Sequence, residues 1–129
     1  MAIDYSLLLS RKDPPELWVT ELVTASVISI RERSQTLYKD YYGIQFQFGV
    51  VIRLNTHRLS ESENELVDVV GKLLRADSDD ALLLFNGELP ALRRCDGLVT
   101  LSKRSGIWTP TRQAMLGLPV RVEDLGPVL

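Results

Sequence analysis

"SESENELVDVVGKLLRADSDDALLLFNGELPALRRCDG", residues 60–97, holds a helix, a loop, a strand and a hairpin in one run, and its reading decides the fold. Ser60-x-x-Glu63 has the spacing of a capping box, in which each side chain satisfies the other residue's orphan N–H. Leu66, Val69, Val70, Leu73 and Leu74 then recur at helical spacing. Burying those five contributes about 8–15 kcal/mol gross, at about 1.5–3 kcal/mol each. Gly71 weakens this helix by about 1 kcal/mol relative to alanine and permits close approach to a sheet. After a loop over 76–80, "ALLLF" (81–85) is apolar on both faces, as a central strand covered on both sides requires. Asn86-Gly87 is the preferred pair for a type I′ hairpin turn. "ELPALRRC" follows, in which Pro90 demands an edge or a bulge, and Asp96-Gly97 turns the chain into "LVTLS". The segment reads as a helix feeding a three-stranded meander.

Upstream of this segment the patterns extend the same sheet. "AIDYSLLL" (2–9) alternates with the period of a strand. Asp13 is a suitable N-cap and Pro14 suits a first helical turn, so a helix of about ten residues is expected, burying Leu17, Trp18 and Leu22. "SVISIRE" (26–32) reads as a strand, and residues 33–43, with Tyr38, Tyr41 and Tyr42 on neither period, as a loop or short hairpin arm. Ile44, Phe46, Phe48, Val50, Ile52 and Leu54 alternate with polar or small residues through a strand over 44–54. Downstream, Thr109-Pro110 precedes a helical turn over 111–116, and the remaining tail reads as an extended segment lying across the core. The expected architecture is α+β: a β-α-β-β-α-β core followed by two further antiparallel strands, with two helices on one face of a mainly antiparallel sheet.

The chain has 129 residues, 45% apolar and 25% charged, which suits a single domain over 1–129 with one core. A formal charge of −2 excludes a global pull toward nucleic acid or an anionic membrane. The N-terminal segment has its basic pair, Arg11-Lys12, after a short apolar run, the wrong order for a signal peptide, and no run is long enough to span a bilayer. The expected compartment is the cytoplasm. One cysteine, Cys95, rules out an internal disulfide and multi-cysteine metal sites and suits a small apolar side chain near a strand.

Candidate chemistry is sparse. Asp77, Asp79 and Asp80 precede a strand, but a calcium loop of the EF-hand kind begun at Asp77 would need an oxygen ligand where Ala81 stands and glycine where Leu82 stands. Paired carboxylates for acid/base work are the sharper alternative, and a solvated helix-to-strand connection the simpler one. His57, the only histidine, has no nucleophile paired with it in sequence, and no phosphate loop, nucleophile elbow or zinc-protease motif occurs. Neither catalytic residues nor cofactor or metal ligands are assigned. Charge, however, is segregated. Residues 61–80 carry seven acids against Lys72 and Arg75, and residues 90–121 carry six bases against Asp96. The basic group with Trp108 suits a weak single-strand nucleic-acid surface unless Trp108 is core, and an acidic face suits a basic protein partner.

Three fragments, "MAIDYSLLL" (1–9), "DDALLLFNGELPALRR" (79–94) and "WTPTRQAMLGLPV" (108–120), resemble the Sit-type immunity proteins of bacterial swarming-inhibition toxin systems. An apolar strand ending in Asn-Gly-Glu and followed some twenty residues later by Trp-Thr-Pro carries the likeness, while residues 32–43 match nothing familiar. The resemblance implies a small non-enzymatic cytoplasmic protein that binds a cognate toxin. Glu61, Glu63, Glu65, Asp77, Asp79 and Asp80 form the expected contact surface. The second reading is a nucleic-acid-binding module on residues 93–112, and self-association through a strand edge such as the one holding Pro90 stays open.

Overall fold

The computed structural model describes residues 3–11 and 22–126. The helix expected after Asp13 lies outside the described residues. In chain order the elements are β1 (Ile3–Leu9), β2 (Val23–Ser29), α1 (Glu32–Tyr42), β3 (Phe48–Leu54), a 3-10 turn (Thr56–Arg58), α2 (Leu59–Arg75), β4 (Ala81–Phe85), β5 (Leu89–Cys95), β6 (Leu98–Ser102), α3 (Pro110–Met115) and β7 (Val120–Glu123). The strands form one sheet in the order β2-β3-β1-β4-β5-β6-β7. All neighbours are antiparallel except β6 and β7. The fold is the expected α+β class.

β1 lies inside the sheet, antiparallel to β3 on one side and to the central strand β4 on the other. β3 and β4 therefore run parallel with β1 between them, and α2 is the crossover that joins them, a split β-α-β unit. Alternation along β1 sends Tyr5, Leu7 and Leu9 to one face, where they join Val50, Ile52, Leu83 and the buried stripe Leu66, Val70, Leu73 and Leu74 of α2. Leu8, Leu82 and Leu84 point to the opposite face and form a second cluster with Ile30, Ile44 and Phe46. This is why "ALLLF" is apolar on both sides. The second cluster is roofed by α1 through Tyr38 and Tyr42, with Tyr38 edge-on to Phe46 at 5.9 Å between ring centroids.

Four local expectations need correction. Residues 33–43 are mostly helix, not a loop or hairpin arm: α1 buries no residue fully, which hides its periodicity, and Gly43 ends it at φ 73° with its N–H donating to the Lys39 carbonyl. The second strand begins at Val23, three residues early, because Val23 and Ala25 supply buried contacts, and it ends at Ser29. The alternation from Ile44 to Leu54 is real in burial, but only Phe48–Leu54 joins the ladder. The Ser60–Glu63 capping box does not form. Asn55 caps the preceding 3-10 turn by accepting from the His57 N–H at 3.0 Å, and the chain runs from that turn into α2.

The meander stands as expected. Asn86 and Gly87 both have positive φ, as do Asp96 and Gly97, which is what type I′ turns demand. Pro90 sits at a register shift, not at an edge: Leu83 faces Leu92 while Leu84 faces Pro90, so Ala91 is the extra residue. The Ala91 carbonyl accepts from Trp108 Nε1 at 2.7 Å. Trp108 is thus a partly buried companion of the main core. The tail forms α3, capped by Thr109 with Pro110 in its first turn, and then β7, which lies at the sheet edge instead of across the core. Gly71 permits close approach to α3: a Cβ there would lie 3.3 Å from the Leu116 carbonyl oxygen and 2.8 Å from Arg75 Nη1.

Burial pushes the Tyr5 phenol up to about 12, with a smaller push from the Glu63 carboxylate, and pushes Tyr42 up to about 12 mainly by burial. In the unfolded chain these phenols ionise near pH 10. Between these values the folded state holds more protons than the unfolded state, so stability falls as pH rises through that window. Urea midpoints measured from about pH 9 to 12 should decline, and Tyr5→Phe with Tyr42→Phe should flatten the decline. Separately, Asn55→Ala should cost about 1 kcal/mol in the same assay, the value of a lost N-cap.

Candidate functional site

The loop after α2 wraps a buried cation, to which Asp77 offers its carboxylate and Asp79 its backbone carbonyl. Arg94 on β5 is 3% exposed. Its Nη2 donates to Asp77 Oδ1 at 2.8 Å, its Nε to the Asp79 carbonyl at 2.6 Å and its Nη1 to the Leu74 carbonyl at 2.5 Å. One guanidinium therefore ties the end of α2 and the following loop to β5. Asp77 also faces Arg11 at 3.5 Å and accepts from the Asp79 N–H at 3.1 Å. Asp80 Oδ1 accepts from the Asp96 N–H at 3.1 Å, and its carbonyl accepts from both the N–H and the hydroxyl of Ser10. The loop joins β1, α2, β5 and the β5–β6 turn.

The glutamates lie at the other end of the same helix. Glu61 pairs with Arg58. Glu63 faces Arg112 Nη2 at 3.6 Å, and Glu65 is half-buried. Arg112, 9% exposed, also donates to Asn64 Oδ1 at 2.9 Å, to the Ser60 carbonyl at 3.3 Å and to the Ile107 carbonyl at 3.3 Å. At 1.5 Å of rise per residue, α2 keeps Glu63 and Asp77 about 20 Å apart. The structure brings Asp77, Asp79 and Asp80 together and Glu61, Glu63 and Glu65 together, as two separate groups.

At the aspartate end, Ser10, Ser78, Asp79, Asp80, Asp96 and Gly97 line an open depression of about 470 Å³. Asp96 is the member that sequence reasoning missed; the signal was its place in an Asp-Gly turn, which returns β6 beside the loop. Asp80, Cys95 and Asp96 bring one potential ligand atom each within 4.8 Å of one another. Burial pushes the Cys95 thiol up, as do the nearby Asp96 and Asp80 carboxylates. His57 lies in the β3–α2 connection, and Cys95 at the opposite end of the sheet, because β1 pairs Ile3 with Leu54 and Leu9 with Ala81, the residue facing Arg94. The two form no nucleophile–base pair.

The basic segment is largely committed to the fold. Arg94 and Arg112 are buried in the bonds above, and Trp108 packs on the core. Arg104 pairs with Asp124 at 2.7 Å, and Arg121 donates to Thr100 Oγ1 while facing Glu123 at 3.7 Å. These contacts do not form the continuous basic strip with exposed aromatics that single-stranded nucleic acid requires.

The architecture is an α+β fold with an acid-rimmed depression beyond one end of α2 and arginine-paired glutamates at the other. The profile of a family described as SitI3-like matches residues 3–112, and the chain belongs to that family. The match spans β1 through the start of α3, including α1, which the motif resemblance left unassigned. Neither curated proteins nor solved structures give a match.

Arg94→Met removes the buried cation while keeping much of its volume, leaving Asp77 and two carbonyls without their donor. The expected loss is about 3 kcal/mol or more in urea unfolding, as for a buried pair stripped of one partner. A loss below about 1 kcal/mol would place the value of this site at that of a surface pair.

Proposed function

We propose that this protein is an immunity protein that neutralises a cognate bacterial toxin by stoichiometric binding in the cytoplasm, without catalysis or a cofactor. The observation that carries the reading is the SitI3-like family match over residues 3–112. Its likeness to Sit-type immunity proteins in three fragments points the same way. One physical feature agrees with it: His57 and Cys95 stand at opposite ends of the sheet, too far apart to act as base and nucleophile.

For the toxin contact we propose the acids at the two ends of α2, with different weights. Asp77, Glu63 and Glu61 each face an arginine of their own chain, so their charge is partly neutralised, least so for the exposed Glu61–Arg58 pair. Asp79 and Asp80 with Asp96 rim an open depression and are available to a basic side chain of the toxin, while Glu61 and Glu65 supply a second contact at the far end. Complementary charge of this kind raises the association rate more than it lengthens the lifetime of the complex.

Coexpression with the toxin encoded beside this gene should rescue growth and yield a co-purifying one-to-one complex. Continued killing with no complex would sink the proposal. Asp79→Lys and Glu61→Lys, made separately, distinguish the two ends. The variant at the true contact should slow association about tenfold at low salt, with the difference shrinking as salt rises. Unchanged kinetics for both variants would remove the acidic groups from the interface while leaving the complex itself in place.

A further inference from the structure

Of the asparagines in the chain, Asn55, Asn64 and Asn86, only Asn86 precedes a glycine. Asn86 and Gly87 are the exposed central residues of the β4–β5 turn, at φ 49° and 73°. The Glu88 N–H closes the turn by donating to the Phe85 carbonyl at 3.0 Å. Nothing lies within 4 Å of where a Gly87 Cβ would stand, and among the described residues no acceptor takes the Gly87 N–H. The backbone nitrogen that follows Asn86 is therefore exposed and, without a Cβ beside it, unhindered.

The Asn86 side chain also belongs to the sheet. β1 and β4 pair from Leu9 and Ala81 to Tyr5 and Phe85. One step further, the Asn86 N–H donates to the Asp4 carbonyl at 2.7 Å, and the Asp4 N–H donates back to Asn86 Oδ1 at 3.0 Å. A side-chain oxygen thus takes the place of a backbone carbonyl in the last rung. That rung adjoins the Tyr5–Phe85 ring pair, whose centroids lie 5.2 Å apart.

We propose that Asn86 is a modification site, at which spontaneous deamidation remodels the rung between β1 and the β4–β5 turn. Asparagine is among the thermally labile residues, and here the chain supplies its own nucleophile. The Gly87 nitrogen gives its proton to hydroxide and bonds to Asn86 Cγ. The Cγ–Nδ2 bond breaks, and the departing nitrogen takes a proton from water and leaves as ammonia, which regenerates the hydroxide. The remaining five-membered succinimide is opened by water. Addition at Cγ gives aspartate on the original backbone, and addition at the backbone carbonyl gives isoaspartate. The net exchange is ammonia for water. Aspartate keeps an acceptor for the Asp4 N–H. Isoaspartate routes the chain through the side-chain carbon, which lengthens a two-residue turn by a methylene and breaks the rung.

Peptide mapping by mass spectrometry, on the full chain held folded at neutral and at mildly alkaline pH, tests the proposal. Asn86 should gain the mass of aspartate, faster at the higher pH, with an isoaspartate fraction, while Asn55 and Asn64 stay intact. Gly87→Asp keeps a residue that tolerates positive φ but crowds the nitrogen, so conversion of Asn86 should slow by about tenfold or more. Circular dichroism identifies a variant that fails to fold, and Gly87→Asn serves in its place. Hydrogen exchange at the Asp4 amide separates the products: protection should be lost in the isoaspartate form and kept in Asn86→Asp. An Asn86 that stays intact under conditions that convert the urea-unfolded chain overturns the proposal, as does equal conversion at Asn55 or Asn64. Isoaspartate with unchanged Asp4 protection overturns it too, since the rung would then not depend on Asn86. Failure here leaves the immunity reading untouched, since that reading rests on rescue and complex formation.

Discussion

Two buried guanidinium groups hold the helix on which the main core is built. Arg94, reaching from β5, satisfies the Leu74 carbonyl at the end of α2 and the loop beyond it. Arg112, reaching from α3, holds Ser60 and Asn64 in its first turns. Helix ends leave backbone carbonyls without intrahelical partners, and cations are favoured near the C-terminal end. A third arginine, Arg75, donates to the Leu116 carbonyl at 2.6 Å and secures α3 against the same helix. With α2 held at both ends, its apolar stripe meets the face of β1, β3 and β4, and β1 can sit between two parallel strands.

This arrangement also governs which charges remain for a partner. A guanidinium buried with several acceptors is expensive to expose, so the acids and carbonyls around it are committed to the fold before any partner arrives. The open depression beside Asp79, Asp80 and Asp96 exists because Arg94 folds the loop back against the β5–β6 turn. α1, by contrast, is lightly attached. It covers the second cluster mainly through Tyr38 and Tyr42 and leaves Leu37 and Tyr41 about half exposed, at 48% and 47%. The domain thus has one heavily bonded face and one thinly covered face. The SitI3-like family match, over residues 3–112, covers the elements that build both faces.

Much of the architecture was legible where the signal is local and repeated. The alternation in β1, the helical stripe of α2, the paired Asn-Gly and Asp-Gly turns and the Thr109-Pro110 start of α3 each depend on residues a few positions apart. α1 was missed because its interior contacts come from two tyrosines and no residue is fully buried. Tyr38 and Tyr42 stand one helical turn apart, and Gly43 follows as a left-handed cap, so a signal was present although weak. The capping box failed for a different reason. Ser60 and Glu63 had the right spacing, but Arg112, about fifty residues away, engages both, and Asn55 starts the helical path earlier.

What the sequence determined by itself is therefore the α+β class, most of the strands and turns, and the family likeness, because periodicity, turn chemistry and motif order are local properties of the chain. The tertiary structure decided which charges are structural. In sequence, Asp77 looks like its neighbour Asp79, and Arg94 looks like its neighbour Arg93. Burial separates them: strand alternation and the Ala91 bulge turn Arg94 inward, where only a carboxylate and carbonyls from α2 and its loop can compensate the loss of water. The opening segment looked like an acidic site preceding a strand. Folded, it is a counter-ion loop around a buried arginine, and only its outer rim is left to meet a partner.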